Sequence, residues 1–394
     1  MTSENAKTPG PIVPSERPIL NEEDFAEGFR KKYQEQADKI GRFNLAIFGK
    51  TGVGKSTLIN AIFGEDVAPT GIGEPVTMTE HLYLHRAGFL GVLDTRGLEI
   101  GVDTETLVGE LGAYVDRMRQ QPEFEQIHVA WYCVRATDRR FEATEADFVR
   151  QLHKLGLPVI LVLTQVPSRN GEPHTDAVAL ADHIAQLDLP IANRRPILVM
   201  ARGDDFVGQA EYGLQDLLDA TFQVAPDGVA AALAAAQKID MGRKRKHADS
   251  AIATASALAA AAGAVPIPIA DAALLVPIQM GLMASVSAIY GIKVETATMA
   301  ATVATAVATS AGRSLVTGLL KLIPGAGTLV GGAISAGVAG IFTAAMGHAW
   351  AEVCRQLTQG KLKGLDGKLD GDAIQKLFMA EFTAWLEKMR TDKS

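Results

Sequence analysis

The chain has 394 residues, of which 47% are hydrophobic and 21% charged, a composition that excludes a largely disordered protein and predicts two or three domains. Its 38 basic and 45 acidic residues give a net charge of −7, which argues against a dedicated nucleic-acid binder, so no DNA partner is expected. The two cysteines, Cys133 and Cys354, have no metal-ligand spacing, and Cys133 lies in an apolar run, which predicts a buried thiol in a reducing, cytoplasmic compartment.

The first half of the chain predicts an α/β domain. Residues 1–20 are polar and rich in proline, which indicates a flexible tail, and residues 21–40 have the pattern of a charged helix. From residue 41 to about 224, short apolar runs alternate with amphipathic stretches, as in a mostly parallel sheet with helices on both faces. The predicted strands are residues 43–48, 89–93, 127–134, 159–163 and 197–200, with an edge strand at 81–85, and the predicted helices are residues 55–63, 104–119, 142–155, 176–187 and 212–222.

The second half predicts a separate all-helical domain over residues 225–394. Its middle part is rich in Ala, Gly, Thr and Val and poor in charge. Proline-containing turns at residues 265–270 and 323–327 divide it into helical pieces. An amphipathic helix over residues 371–388 is expected to end the domain.

Part of this helical domain has features of a membrane-associated segment. Residues 272–292 and 326–346 are long enough to cross a bilayer, although Pro277 interrupts the first of them. Residues 243–246 are all basic and precede the apolar part, where they can attract anionic headgroups. The composition leaves two alternatives open: contact with the inner face of the cell membrane through residues 243–350, peripheral or integral, or an Ala-rich bundle in water.

A phosphate-binding motif lies between the first predicted strand of the α/β domain and the helix that follows. Residues 49–56, GKTGVGKS, match the pattern G-x-x-x-x-G-K-[ST] in full. The glycines let backbone N–H groups approach an anion, and the helix adds its positive N-terminal end. Lys55 is expected to reach the β- and γ-phosphates of a nucleotide, and Ser56 to bind Mg²⁺. The predicted phosphate-binding residues are Gly49, Lys50, Thr51, Gly52, Val53, Gly54, Lys55, Ser56 and Thr57.

Two further segments have the spacing of a nucleotide-dependent switch. The sequence DTRG, residues 94–97, ends a predicted strand, so Asp94 can hold Mg²⁺ through a water and the Gly97 N–H can bond the γ-phosphate. Thr77, in the sequence PVTMT, is the candidate threonine that closes on Mg²⁺ and the γ-phosphate, and Thr79 is the alternative. The predicted catalytic residues are therefore Lys55, Thr77 and Gly97, and the predicted metal ligands are Ser56, Thr77 and Asp94.

These motifs resemble those of a known family. The stretches GKTGVGKST, PVT and DTRGLE are similar to Era-type members of the translation-factor-related GTPases. The stretches AVPIPIADAALLVPIQMG and LIPGAGTLVGGAISAG resemble the DUF697 family of helical domains, which follow such G domains in some bacterial proteins. The two resemblances cover most of residues 41–355. They imply a G domain that binds GTP or GDP with Mg²⁺, and the family pattern places Thr164, Gln165 and Ala201 beside the base.

One departure from the family pattern concerns the base. Family members carry N/T-K-x-D, whose aspartate binds guanine N1 and N2, whereas this chain has TQVP at residues 164–167. Pro167 has no carboxylate, and such a hydrogen bond contributes about 1.5–3 kcal/mol. Asp204 or Asp205 can compensate from another direction, and a preference for ATP or a relaxed specificity stays open.

A second departure concerns hydrolysis. Leu98 follows DTRG, where Ras-like enzymes have a glutamine that orients the attacking water. This resembles GTPases that hydrolyse slowly until a dimer or partner completes the site. Arg96, Arg139 and Arg140 are candidates for stabilising transition-state charge, within the chain or across a homodimer of G domains.

The leading hypothesis is a bacterial GTP-binding switch protein with slow intrinsic GTP hydrolysis, whose nucleotide state controls how the helical domain meets a membrane or a protein partner. One alternative is a GTPase of the ribosome-assembly kind, which the acidic charge and the lack of a basic RNA-binding module disfavour. The other is a scaffold that binds nucleotide without meaningful turnover, which Leu98 and the missing guanine-binding aspartate favour.

Overall fold

The computed structural model describes residues 22–64, 82–94, 104–206, 208–263, 270–310, 336–364 and 366–391. Several sequence predictions fall outside these residues. They are the tail at 1–20, the candidate threonines Thr77 and Thr79, the switch residues 95–98, and nearly all of the two proline-containing turns.

A mostly parallel sheet forms the centre of the α/β domain. Its strands are β1 (Phe43–Phe48), β2 (Leu82–Leu84), β3 (Leu90–Asp94), β4 (Val129–Arg135), β5 (Val159–Thr164) and β8 (Ile197–Leu198), while β6 (Ser168–Arg169) and β7 (Glu172–Pro173) form a small hairpin of their own. The strand order is β2-β3-β1-β4-β5-β8, and every pair is parallel except β2 with β3. The predicted edge strand is thus confirmed as an antiparallel edge.

Helices cover both faces of this sheet. They are α2 (Lys55–Phe63), α3 (Thr104–Met118), α4 (Ala143–Lys154), α5 (Thr175–Gln186) and α6 (Leu214–Val224). One face packs on α3, α4 and α5, and the other on α2 and α6. Strands β1 and β5 are buried at every residue, which explains why they are mostly apolar without alternation; the exceptions are the buried polar residues Asn44 and Thr164. Cys133 on β4 is buried as predicted, and burial raises the pKa of its thiol to about 12.

The rest of the described chain is helical. It contains α7 (Ala230–Ala236), α8 (Met241–Gly263), α9 (Ala270–Ile289), α10 (Val294–Ser310), α11 (Ala336–Thr358) and α12 (Gly371–Thr391). Helix α11 packs on α8, α9 and α12. Helix α1 (Glu22–Ile40) packs on α9 and α10, and the Tyr33 hydroxyl donates a hydrogen bond to the Ile292 carbonyl oxygen at 2.6 Å. The N-terminal helix therefore packs with the helical part, although the α/β domain follows it directly in the chain.

Helix α9 differs from the sequence prediction at Pro277, which lies inside the helix and does not interrupt it. A proline within a helix removes one backbone hydrogen bond and costs about 3 kcal/mol. Helix α9 packs on α1, α8 and α11, and burial on several sides offsets this loss. In the described part of the chain, every helix falls short of the combined length and apolar character that crossing a bilayer requires.

Candidate nucleotide-binding site

The predicted phosphate loop lies at the carboxyl edge of the parallel sheet. It joins the end of β1, a central strand, to the start of α2. Parallel pairing places Ile47 beside Asp94, Phe48 beside Tyr132, and Arg135 beside Thr164. The ends of β3, β4 and β5 therefore flank the loop on one edge, which is the edge where open α/β sheets bind ligands.

The backbone of the loop is shaped for an anion. Gly49 has a φ of +132°, and a Cβ atom there would lie 2.2 Å from the Cys133 carbonyl oxygen, so no larger residue fits. Helix α2 begins at Lys55, directly after Gly54. Its first turn has the sequence KSTL, with no carboxylate to compete with a phosphate for the positive N-terminal end.

Lys55 is held over this loop. This residue is buried, with an exposed fraction of 8%. The ammonium group donates hydrogen bonds to the carbonyl oxygens of Gly49 at 2.7 Å and Lys50 at 3.1 Å. An anion that entered the loop would meet this ammonium together with the N-terminal end of α2. Within the loop, Val53 is buried, whereas Thr51 and Gly52 are exposed. Ser56 and Thr57 lie in the first turn of α2.

Two predicted base-side residues contact the loop itself. The Thr164 hydroxyl is buried and lies 2.6 Å from the Val53 carbonyl oxygen and 3.2 Å from that of Val134. Gln165 has a φ of +52°, and its side-chain amide donates to the Gly52 carbonyl oxygen at 3.1 Å. Both side chains therefore position the loop backbone, a role that sequence reasoning missed because their partners are main-chain atoms more than 100 residues away.

Hydrogen bonds connect two segments that carry or adjoin the residues predicted to lie beside the base. The β6–β7 hairpin follows Pro167, and its Ser168 exchanges hydrogen bonds of 2.9 Å with the amide of Gln209. Ala201 is half-buried where the second segment leaves β8. Asp204 is exposed, and its carboxylate accepts a hydrogen bond from the Phe206 N–H at 3.0 Å, which stabilises a local turn. Asp205 is also exposed.

The remaining candidates are less completely described. The main chain of Asp94 lies at the end of β3, whereas Thr77, Gly97 and Leu98 lie outside the described residues. Arg139 and Arg140 are exposed, and they pair with Asp176 at 2.6 Å and Glu142 at 3.9 Å.

The donor chemistry at this edge fits Mg²⁺. The Ser56 hydroxyl is a hard oxygen ligand of the type that Mg²⁺ prefers, and Mg²⁺ usually takes its other ligands from phosphates and water. Within the described residues, no group of three or more His, Cys, Asp or Glu side chains could hold a metal ion. A metal bound here would therefore depend on the nucleotide for part of its ligand set.

A parallel sheet with the loop GKTGVGKS between a central strand and a helix defines the class of P-loop nucleotide-binding domains. Residues 44–165 match the family described as 50S ribosome-binding GTPase, and residues 229–378 match the family described as Domain of unknown function (DUF697). The chain therefore carries a P-loop GTPase domain followed by a DUF697 domain, which confirms these two predictions.

Several GTPases are similar to part of this chain. GTPase Der from Nitrobacter winogradskyi is 31% identical over 195 residues, which is 47% of this chain and 36% of that protein. GTPase Der from Rhodopseudomonas palustris is 33% identical over 137 residues, 33% of this chain and 27% of that protein. GTPase Der from Brevibacillus brevis is 33% identical over 135 residues, 31% of this chain and 26% of that protein. The chain spans between about a quarter and a third of the length of these relatives.

Proposed function

We propose that the protein is a GTP-binding switch protein that binds GTP or GDP with Mg²⁺ and hydrolyses GTP slowly. The single observation that carries this proposal is the phosphate loop: a buried Lys55 ammonium over a glycine-shaped loop at the N-terminal end of α2. The match of residues 44–165 to a GTPase family supports the choice of GTP. Within that class, the Era type is our proposal from the motifs.

Contacts between the two domains support coupling of the nucleotide state to the helical part. Helix α2 begins at the phosphate loop, and at its other end the Ile62 carbonyl oxygen accepts a hydrogen bond from the Lys238 N–H at 2.8 Å. Lys238 lies in the short connection from α7 to α8. Arg243 at the start of α8 pairs with Asp219 of α6 at 3.0 Å and lies 3.9 Å from the centre of the Phe222 ring. A shift of α2 would therefore displace Lys238 and, with it, the start of α8.

The experiment that tests this proposal is calorimetric titration of the full chain with GTP, GDP and ATP, each with and without Mg²⁺. We expect GTP and GDP to bind more tightly than ATP, and Mg²⁺ to strengthen GTP binding more than GDP binding. Equal affinity for ATP and GTP would assign the protein a relaxed base specificity, as the proline at position 167 suggests. The absence of binding to any of the three nucleotides would overturn the proposal.

The proposal extends to what the switch contacts. It includes a membrane contact through residues 243–350 and a homodimer through the G domain. The basic residues 243–246 lend the membrane contact little support. Arg243 pairs with Asp219 and Asp240, Lys244 is buried, and Arg245 pairs with Asp249, so that Lys246 is the one of these four that is exposed.

The second candidate function is a ribosome-assembly-type GTPase, and the name of the matched family favours it. Co-sedimentation separates the two candidates. A membrane switch is expected to sediment with anionic lipid vesicles when GTP is bound, whereas a ribosome-assembly factor is expected to sediment with the large ribosomal subunit. Vesicles without anionic lipid serve as the control for nonspecific pelleting.

A further inference from the structure

A buried carboxylate lies beside the phosphate loop. Glu145, in the first turn of α4, has an exposed fraction of only 2%. One of its carboxylate oxygens accepts a hydrogen bond from the Glu142 N–H at 2.9 Å, and the other lies 3.3 Å from the Tyr132 hydroxyl. A buried carboxylate is strongly unfavourable unless it is paired and hydrogen-bonded, and Glu145 is balanced by the positive N-terminal end of α4, where it forms a capping box with Glu142, and by a nearby cation.

That cation is Lys50, the second residue of the phosphate loop. Its ammonium lies 3.5 Å from a Glu145 carboxylate oxygen and 3.1 Å from Glu142. The carbonyl oxygen of the same Lys50 accepts a hydrogen bond from the Lys55 ammonium at 3.1 Å. Lys50 therefore connects α4 to the phosphate-binding lysine, through its side chain on one side and its main chain on the other.

We propose that Glu145 is a positioning residue that holds the phosphate loop in its binding shape through Lys50. Glu145 acts on the loop and Lys50 transmits its effect, so both residues set the nucleotide affinity as one unit. The inference rests on the proposed nucleotide binding and adds to it a residue on α4, outside the phosphate-loop motif. Without the pair, the loop is expected to sample shapes in which the Lys50 carbonyl no longer supports Lys55.

The test measures the dissociation constant for GDP and for a non-hydrolysable GTP analogue in the full chain, by calorimetry. The variants are Glu145→Gln, Lys50→Met, the double variant and Lys50→Arg. Each of the first two is expected to bind roughly tenfold more weakly, since each removes the ion pair between Lys50 and the buried Glu145. The double variant is expected to bind no more weakly than either single one, and Lys50→Arg to bind like the wild type, because a guanidinium can pair with the same carboxylate.

The matched control is Asp147→Asn, which removes an exposed carboxylate of the same helix that pairs with Arg150 at 2.9 Å. This variant is expected to bind like the wild type. Thermal unfolding without nucleotide is recorded for every variant, because a purely structural role would lower the unfolding temperature and leave the affinity of the folded protein unchanged. If Glu145→Gln does not fold, the dissociation constants of Lys50→Met and Lys50→Arg are compared instead. Equal values for these two variants would overturn the positioning role.

The outcomes separate this inference from the proposed function. If both single variants bind nucleotide as tightly as the wild type, the positioning role is overturned and the proposed function stands. A double variant whose loss equals the product of the two single losses also overturns it, because the residues would then act independently. A wild-type protein that binds no nucleoside triphosphate overturns the proposed function and the inference with it.

Discussion

Single side chains from distant parts of the chain shape the phosphate loop. Thr164 and Gln165 donate to carbonyl oxygens on its far side, and Lys50 ties it to Glu145 on α4. Each of these contacts fixes a backbone carbonyl or an ammonium away from the space where an anion would bind. The loop is thus held in shape before a nucleotide binds, which lowers the entropic cost of ordering it on binding.

Replacement of Lys55 tests the phosphate contact at this scale. Lys55→Ala is expected to weaken binding of GTP and GDP by about one to two powers of ten, because a hydrogen bond to a charged group contributes about 1.5–3 kcal/mol. The folded structure is expected to persist, as judged by circular dichroism, since the hydrophobic cores are unchanged. Lys154→Ala, an exposed lysine at the end of α4, is the control. Unaltered nucleotide affinity in Lys55→Ala would remove the phosphate-loop assignment.

Lys244 makes the stability of the protein dependent on pH. Its ammonium is fully buried and donates to the carbonyl oxygens of Ala235 at 2.7 Å and Ile289 at 3.2 Å, near the ends of α7 and α9. Burial lowers the pKa of this lysine to about 7 from 10.5, and repulsion by Lys238 adds to the effect. The unfolded chain therefore binds one more proton than the folded protein between these two pH values.

The free energy of unfolding is consequently expected to rise with pH above about 7, with a slope approaching 1.4 kcal/mol per pH unit from this residue. Urea unfolding of the wild type and of Lys244→Met, at several pH values from about 7 to 8.5, measures the difference and cancels all other titrating groups. The curve of Lys244→Met is expected to be flatter. Parallel curves for the two proteins would contradict the assignment of this pH dependence to Lys244.

At the scale of elements, close approach between helices explains the Ala- and Gly-rich composition of the second domain. Helix α11 packs against α8 and α9 through Gly347, where a Cβ atom would lie 2.8 Å from Ile252 and 2.9 Å from Leu282. Small residues let these helices approach closely.

Two glycines of α11 are expected to respond in opposite directions to replacement by alanine. Gly347→Ala is expected to lower the free energy of unfolding by about 1–3 kcal/mol, because the added methyl group overpacks the contact with α8 and α9. Gly337→Ala, where none of the described residues lies within 4 Å of the added atom, is expected to raise it by about 0.5–1 kcal/mol through higher helix propensity. Urea unfolding of both variants measures the two values. A stabilising effect of Gly347→Ala would show that the helices are not in close contact there.

At the scale of the whole molecule, one hydrophobic core runs from the sheet into the helical domain. It includes Phe43 of β1 and Trp131 of β4, and it continues to Trp350 and Cys354 of α11. Helix α7 packs on β1 and β3, and α1 crosses back from the N-terminus to α9 and α10. This continuity supports the proposed coupling, because it would give a nucleotide-dependent change in the first domain a physical route to the second.

The proposed completion of the catalytic site by a second copy is tested at this same scale. Leu98 cannot orient an attacking water, so GTP hydrolysis per molecule is expected to increase with protein concentration as homodimers form. Phosphate release, measured at saturating GTP over a series of concentrations, detects the effect. Nucleotide affinity measured at the same concentrations serves as the control and is expected to stay constant. A rate strictly proportional to protein concentration would contradict the dimer.

The sequence alone was sufficient for the local features of this protein. Continuous apolar runs at residues 43–48 and 159–163 predict strands buried on both faces, and they match β1 and β5. The phosphate loop can also be predicted from the sequence, because its glycines, lysine and serine lie within eight consecutive residues. Such features depend on neighbours in the chain, and the spacing of residue types records them directly.

The tertiary structure decided everything that depends on distant partners. The order of the strands, the packing of α1 on the second domain and the continuity of α9 through Pro277 all follow from which surfaces meet. Thr164 and Gln165 bind main-chain carbonyls, and because every residue carries a carbonyl, the sequence holds no signal for which one is chosen. The pairing of Lys50 with Glu145 likewise required the fold, since 95 residues separate two side chains that only the packing of α4 beside the loop brings together.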